Sequence, residues 1–228
     1  MEYDDNASPF NSIPPVVVAV VLLALGIEMV FWAGTNGYIG GPSAVGWRQE
    51  AVRDYAIAAP IFDWMLENGR WPLEHVKRFV TYAFVHQSFM QMVMFGVFTL
   101  ALGKMVGELL GTIAFLAIFI LSAICGALAF VLIAPTTGPL LGGFPAAYGL
   151  IGAYTMLLWT ALAGTGDTQL KAFSLIAILM GLQLVFGLMF GLNTYWIADL
   201  AGFFAGFLLS FLVVPGALSR LLDKLRQR

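Results

Sequence analysis

Few side chains in this sequence can do chemistry, and those that can are set in apolar runs. Asp199 lies within Ala198-Asp199-Leu200-Ala201-Gly202-Phe203-Phe204-Ala205-Gly206. His86 stands ahead of Gln87, Ser88 and Gln91, Glu28 falls near the end of the first apolar run, and Gln183 is the one amide of another. A carboxyl group can serve as a general base, a metal ligand or the partner of another polar group, and an ionisable residue inside a bilayer is a functional-site hypothesis by default. Small residues surround this one. Gly142-Gly143-Phe144-Pro145-Ala146-Ala147-Tyr148-Gly149-Leu150-Ile151-Gly152 opens a further apolar run with little bulk on one helical face. Gly149, Gly152, Gly202 and Gly206 would let two helices approach until their backbones nearly touch.

Several chemistries find no support. His75 and His86 have no carboxylate at ligand spacing, so no metal site is expected. Cys125 is the one cysteine, which leaves neither a disulfide framework nor a zinc cluster. No cofactor is expected. Ser88, Ser122 and Ser174 are lone hydroxyls without an adjacent base. A net charge of −2 argues against nucleic acid as a partner. Asp199 carries two readings. In the structural one, a neighbouring donor satisfies it and the pair pins two helices; in the functional one, it responds to a proton, a ligand or a partner. His75 is expected to be a solvated residue at the membrane surface. Glu28 is expected to reach for the interface, the alternative being a buried carboxylate in search of a partner.

The elements that must position these groups are helices in lipid. Of the residues, 60% are hydrophobic and 11% charged, against roughly half and about a quarter in a soluble domain. Six apolar spans are expected: Pro14–Trp32, Phe79–Gly103, Thr112–Ala134, a short fourth at Phe144–Ala163, Ala172–Leu192 and Trp196–Val214. They form one membrane domain over 14–214, between a polar tail at 1–13 and a basic tail at 215–228. The acidic N-terminus lacks the basic region of a cleaved signal peptide, so the first span is expected to remain as an anchor. Residues 33–78 form one long loop holding Trp47, Trp64 and Trp71, and Ala51–Leu66 has helix-period apolar positions between charges. That pattern belongs to amphipathic helices lying in the interface plane. The two short outer loops carry no Lys or Arg, so the positive-inside bias favours cytoplasmic termini. Gly103, Gly107 and Gly111 follow the second expected span and are read as a tight helix-loop.

The whole pattern resembles the rhomboid family of intramembrane serine proteases. There the fourth span begins Gly-x-Ser-Gly-Ala-x-(Phe/Tyr)-Gly-Leu-x-Gly, the sixth carries Ala-His-x-x-Gly-x-x-x-Gly, and the second reads His-x-x-x-x-His-x-x-x-Asn. The corresponding residues here are Gly142 to Gly152, Ala198 to Gly206, and His86, Gln91 and Phe95. The resemblance implies an all-α, six-helix rhomboid-like bundle with an amphipathic first loop, an integral protein of a bacterial inner membrane. It places Phe144 where the family has its nucleophilic serine, Asp199 at its general base, and Gln91 and Phe95 at groups that assist the oxyanion. It also implies a structural His86 bridging to the first loop, and Tyr148 beside the base position, where its hydroxyl, or a backbone group, would donate to Asp199. A phenyl ring cannot form an acyl-enzyme, and losing nucleophile and base together removes nearly all of the rate. The resemblance therefore implies the fold without the reaction.

What remains is expected to be a non-proteolytic binder. Its partners would be the lipid bilayer and the transmembrane helices of other membrane proteins, admitted beside the fifth span as the family admits its substrates, for an adaptor, assembly or quality-control role. Two rival readings stand: a residual peptidase with Asp199 as base, and a small transporter lined by Asp199, Glu28, Gln91 and Gln183.

Overall fold

Prolines and glycines set where the helices of this chain begin and end. The computed structural model describes residues 13–134, 138–163, 168–190 and 194–213. The expected terminal tails, apart from residue 13, lie outside those residues, as does the expected fifth span beyond Phe190. Helix α1, Pro15–Thr35, starts on Pro14 and Pro15, where the missing N–H costs nothing because first-turn donors have no helical partner. Val17, Val21, Ala24, Glu28, Phe31 and Gly34 form its buried stripe, three or four residues apart as one helical face requires.

The long loop folds into α2 (Trp47–Tyr55), α3 (Ala59–Asn68), α4 (Leu73–Val76) and α5 (Arg78–Thr81). The break between α2 and α3 lies at the extended residues Ala56 and Ala58, and Pro60 falls in the first turn of α3, where its missing N–H costs nothing. Trp64, Trp71, Tyr38 and Leu73 stay exposed along this segment. Aromatic rings of that kind are the ones that settle at the headgroup level of a bilayer.

The second apolar helix differs from expectation. Helix α6 spans Phe89–Leu110, not Phe79–Gly103, and residues 79–88 form α5, a short 3₁₀ turn and an extended connection. Ser88 caps it: its hydroxyl oxygen accepts from the Gln91 N–H at 3.2 Å, satisfying one of the donors a helix start leaves open. His86 and Gln87 are therefore outside the helix. Gly103 and Gly107 lie within α6, where they meet Val17 and Pro14 of α1; they are a helix–helix contact and not a helix-loop. Gly111, at φ +87°, alone separates α6 from α7, Thr112–Ile133.

Helix α8, Phe144–Leu162, is the centre of the bundle, buried almost without interruption from Pro145 to Met156. It packs against α6, α7 and α10 (Tyr195–Val213), while α9 (Ser174–Phe190) follows a short 3₁₀ turn and sits more loosely. Helices α1, α6, α7 and α10 are long and apolar enough to cross a membrane. Helix α8 is not in that set, because Tyr148, Thr155, Thr160 and several small residues lower its hydropathy; it faces protein more than lipid. Among the described residues every regular element is a helix, and the one β-bridge joins Ile57 to Leu140.

The closest approach is between α8 and α10. A methyl group on Gly206 would strike the Gly149 backbone, and one on Gly202 the Pro145 carbonyl. Gly206→Ala or Gly202→Ala should therefore lower stability by about 1–3 kcal/mol, the usual cost of overpacking. Gly181→Ala on α9, where an added carbon meets nothing within 4 Å, should leave it unchanged or slightly raised. Thermal unfolding in detergent micelles checks the contrast.

Candidate functional site

The start of α8 is held before it is aimed. Leu140 exchanges two backbone hydrogen bonds with Ile57, at 2.8 and 3.0 Å, and the Gly142 N–H donates to the Tyr82 carbonyl at 3.0 Å. The Tyr195 hydroxyl of α10 donates to the Pro139 carbonyl at 3.4 Å. The lead-in is thus fastened to the interfacial loop, to the turn before α6 and to α10. Gly142 has φ +92°, a left-handed conformation that favours glycine. The chain then enters the helix at Phe144 and Pro145. Pro145 and the Ala198 carbonyl both lie against Gly126 of α7, and Gly202 lies against Pro145. Phe144 and Asp199 are therefore brought to the same end of two helices in contact, with Tyr148, Gly149 and Gly152 further along α8.

Asp199 is only 4% exposed. Its hydrogen-bond donor is Gln183 of α9, whose Nε2 lies 2.8 Å from Oδ2. The sequence reading gave this role to Tyr148 or a backbone group; the Tyr148 ring is buried beside the acid, but the bond comes from the other side. Among the described residues no hydroxyl donates to Asp199. Ser122 Oγ is buried against Gly149 without a partner, and Phe144 carries no nucleophilic atom. The arrangement can hold a polar group or exchange a proton. It offers no activated nucleophile.

A second cluster forms where α1, α2 and the turn before α6 converge. Glu28, expected to reach for the interface, is 1% exposed and paired. Arg48 of α2 meets it with both ends of its guanidinium, Nη2 to Oε1 at 2.6 Å and Nη1 to Oε2 at 2.9 Å. Nη1 also donates to the His86 carbonyl at 2.7 Å, and the guanidinium lies over the Phe31 ring. One cation thus joins a span, a surface helix and the approach to α6, and this is how His86 bridges to the first loop. Burial, with Arg48 nearby, pushes the His86 imidazole down from its usual value to about 4. Its Nε2 accepts from the Gly143 N–H at 3.5 Å, and its ring packs on Phe95. Phe95 is wholly buried, between His86 and Phe119. Gln91 turns back on its own loop, accepting from the Gln87 N–H at 2.6 Å, with its amide close to Gly142.

Sequence reasoning missed Arg78. It is buried, and Nη1 donates to the Arg53 and Ala56 carbonyls at 2.7 and 3.0 Å, closing the break between α2 and α3. Its burial drives the guanidinium below its ordinary value. His75, expected to be solvated, has its edge against Trp64 and Nδ1 buried. Among the described residues no three His, Cys, Asp or Glu side chains converge as a metal site would need.

The rhomboid domain family model matches residues 73–216, from α4 past the end of α10. The chain belongs to the rhomboid family. That family is one of intramembrane serine proteases, and this rhomboid is an integral membrane protein whose helices lie in a lipid bilayer. No curated protein matches the chain. Phe144 and Asp199 both fall within the matched residues, on α8 and α10 respectively.

Two outcomes follow from the second cluster. Glu28→Leu should cost about 3 kcal/mol, near the lower end for breaking a buried ion pair because the Arg48 side chain is 22% exposed; the double variant with Arg48→Leu should recover most of it. A double-mutant cycle of unfolding free energies reads this directly. His86 is neutral when folded and free to protonate near pH 6.5 when unfolded. Its contribution to stability is therefore complete above about 6.5 and is lost as pH falls toward 4. Thermal unfolding across that window should show a steeper acid-side decline in the wild type than in His86→Gln.

Proposed function

We propose that this rhomboid protein holds the transmembrane helices of other membrane proteins without cutting them. The observation that supports the reading most is the pairing at the α8–α10 contact. The backbone-to-backbone crossing through Gly149, Gly152, Gly202 and Gly206 is tight, while Phe144 stands at the first residue of α8 and Asp199 is bonded to an amide. Binding needs the packed scaffold; peptide hydrolysis needs a nucleophile, a base and donors for the oxyanion. At the family's four positions this chain has a phenyl ring, a carboxyl, an amide whose oxygen accepts from the Gln87 N–H, and a second phenyl ring. Pro145 has no N–H to offer.

In this reading residues 14–214 are one membrane domain. Helices α8 and α9 complete six spans, the interfacial loop lies on the outer face, and both termini are cytoplasmic, as the placing of Lys and Arg favours. The client helix enters beside α9, the most loosely seated helix of the bundle. The step from scaffold to client rests on the behaviour of the fold family.

Purified protein in liposomes, mixed with a transmembrane helix carrying a helix-breaking centre, should give no cleavage above the protein-free background. Photocrosslinkers at the exposed positions Val97 of α6 and Ile178 of α9 should capture that helix in preference to lipid. Sustained cleavage that Asp199→Ala abolishes would instead make the protein a peptidase with an unconventional base.

A further inference from the structure

The bond between α9 and α10 has one half filled. Gln183 Nε2 donates to Asp199 Oδ2 at 2.8 Å, while the other end of the same amide, Oε1, is buried without a partner. A buried carbonyl oxygen without a donor has lost its water and gained nothing in exchange. The group beside it decides what can be gained. An ionised carboxylate only accepts hydrogen bonds, whereas a protonated one also donates. A carboxylic acid and a primary amide are complementary as a closed pair: the amide N–H meets the acid carbonyl, and the acid O–H meets the amide carbonyl.

We propose that Asp199 is held as the neutral acid in a two-bond pair with Gln183, and that loss of its proton releases α9 from α10. The surroundings favour the neutral form on geometric grounds. Asp199 is buried on a helix packed hard against α7 and α8, and none of the described lysines, arginines or histidines pairs with it. The titratable groups around it are hydroxyls and a thiol: Tyr148 on α8 and Tyr82 before α6, which feel its charge, and Cys125 on α7 near Tyr82. Helix α9 contributes no titratable group at all. A carboxylate formed there would have one neutral donor and no counter-ion, a costly state in an apolar interior. Moving α9 aside relieves that cost by admitting water or another donor.

The mechanical side lies in how α9 is seated. Ile178, Leu182, Val185 and Met189, spaced along one face, are all exposed. Against lipid such a face has little to choose between one position and another, because lipid tails are as apolar as the side chains. On the other face of α9 Ile176 is buried, with Leu175, Leu179 and Met180 packed on the core, and the pair with Asp199 is the hydrogen-bonded part of what fixes α9. The proton moves from the Asp199 carboxyl to water and no covalent bond between heavy atoms changes. That the opening admits a client helix rests on the function proposed above; the protonation state and the movement do not.

The test uses the full chain in lipid nanodiscs without any client. Infrared spectroscopy across a pH series should show the carbonyl band of a buried carboxylic acid that is absent in Asp199→Asn and shifted in Gln183→Leu. Spin labels at I178C on α9 and L208C on α10, in a C125A background, should report a short distance that lengthens with rising pH, with the same midpoint as the loss of the band. Asp199→Asn should stay closed at every pH, since its amide offers Gln183 the same donor and acceptor as the neutral acid. Gln183→Leu should be open or broadened throughout. Absence of the acid band at every pH, a distance that ignores pH, or an Asp199→Asn variant that behaves like Gln183→Leu would each overturn the proposal. Circular dichroism of each variant separates misfolding from opening, and the wild-type spectrum and distance series need no substitution at the pair. Failure of client capture with this series intact would reject the binding function and leave the latch.

Discussion

Everything in this bundle is arranged around two backbones that nearly touch. Where α8 crosses α10 the side chains that normally keep helices apart are missing on both, so carbonyls of one face glycines of the other. In a membrane this is a main route to tight association, because apolar bulk gains little by leaving lipid for protein. The contact explains why α8 can be the least lipid-like of the long helices and still sit at the centre: α6, α7 and α10 wrap it. It also sets the depth of Asp199, which lies within one turn of Gly202 and so is drawn into the crossing.

Around that rigid centre the polar groups are distributed with unequal security. Arg48 spends both ends of its guanidinium on Glu28 and has a hydrogen left for the His86 carbonyl, so α2 is fastened to α1 by a charged, bidentate bond. A second kind of cross-helix polar contact, Gln183 with Asp199, has one bond and an idle oxygen. The first joins parts that fold together and stay together. The second lies between the core and its loosest helix, and it is the reason we place movement there and not at the loop.

The glycine crossing was legible in the sequence because spacing encodes it: residues four apart on a helix share a face whatever their partner is. The same holds for the apolar runs that became α1, α7 and α10. The polar partners were not legible. Arg48 with Glu28 and Gln183 with Asp199 depend on how each helix is rotated about its own axis, which a composition pattern does not report. The resemblance offers Tyr148 or a backbone group for Asp199 because the family has an aromatic beside its base. The start of α6 was misplaced for a different reason. Hydropathy counts Phe79, Val80, Phe84 and Val85 as part of a span, while the helix is set by the Ser88 hydroxyl, a single capping atom with no weight in an average. Gly103 and Gly107 were read from their position after an expected helix end; once that end moves to Leu110, they become the surface on which α1 rests.

The connection between α6 and α7 has a consequence for how the protein reaches its membrane. Leu110 ends one helix, Thr112 begins the next, and Gly111 is the whole of the linker. A connector of one residue has no length to spare, so the second helix cannot wait in the aqueous phase while the first settles across the hydrocarbon. Biogenesis then hands these two segments over as a hairpin, two helices of 22 residues each in a single lateral release, with Lys104 and Glu108 of α6 carried along.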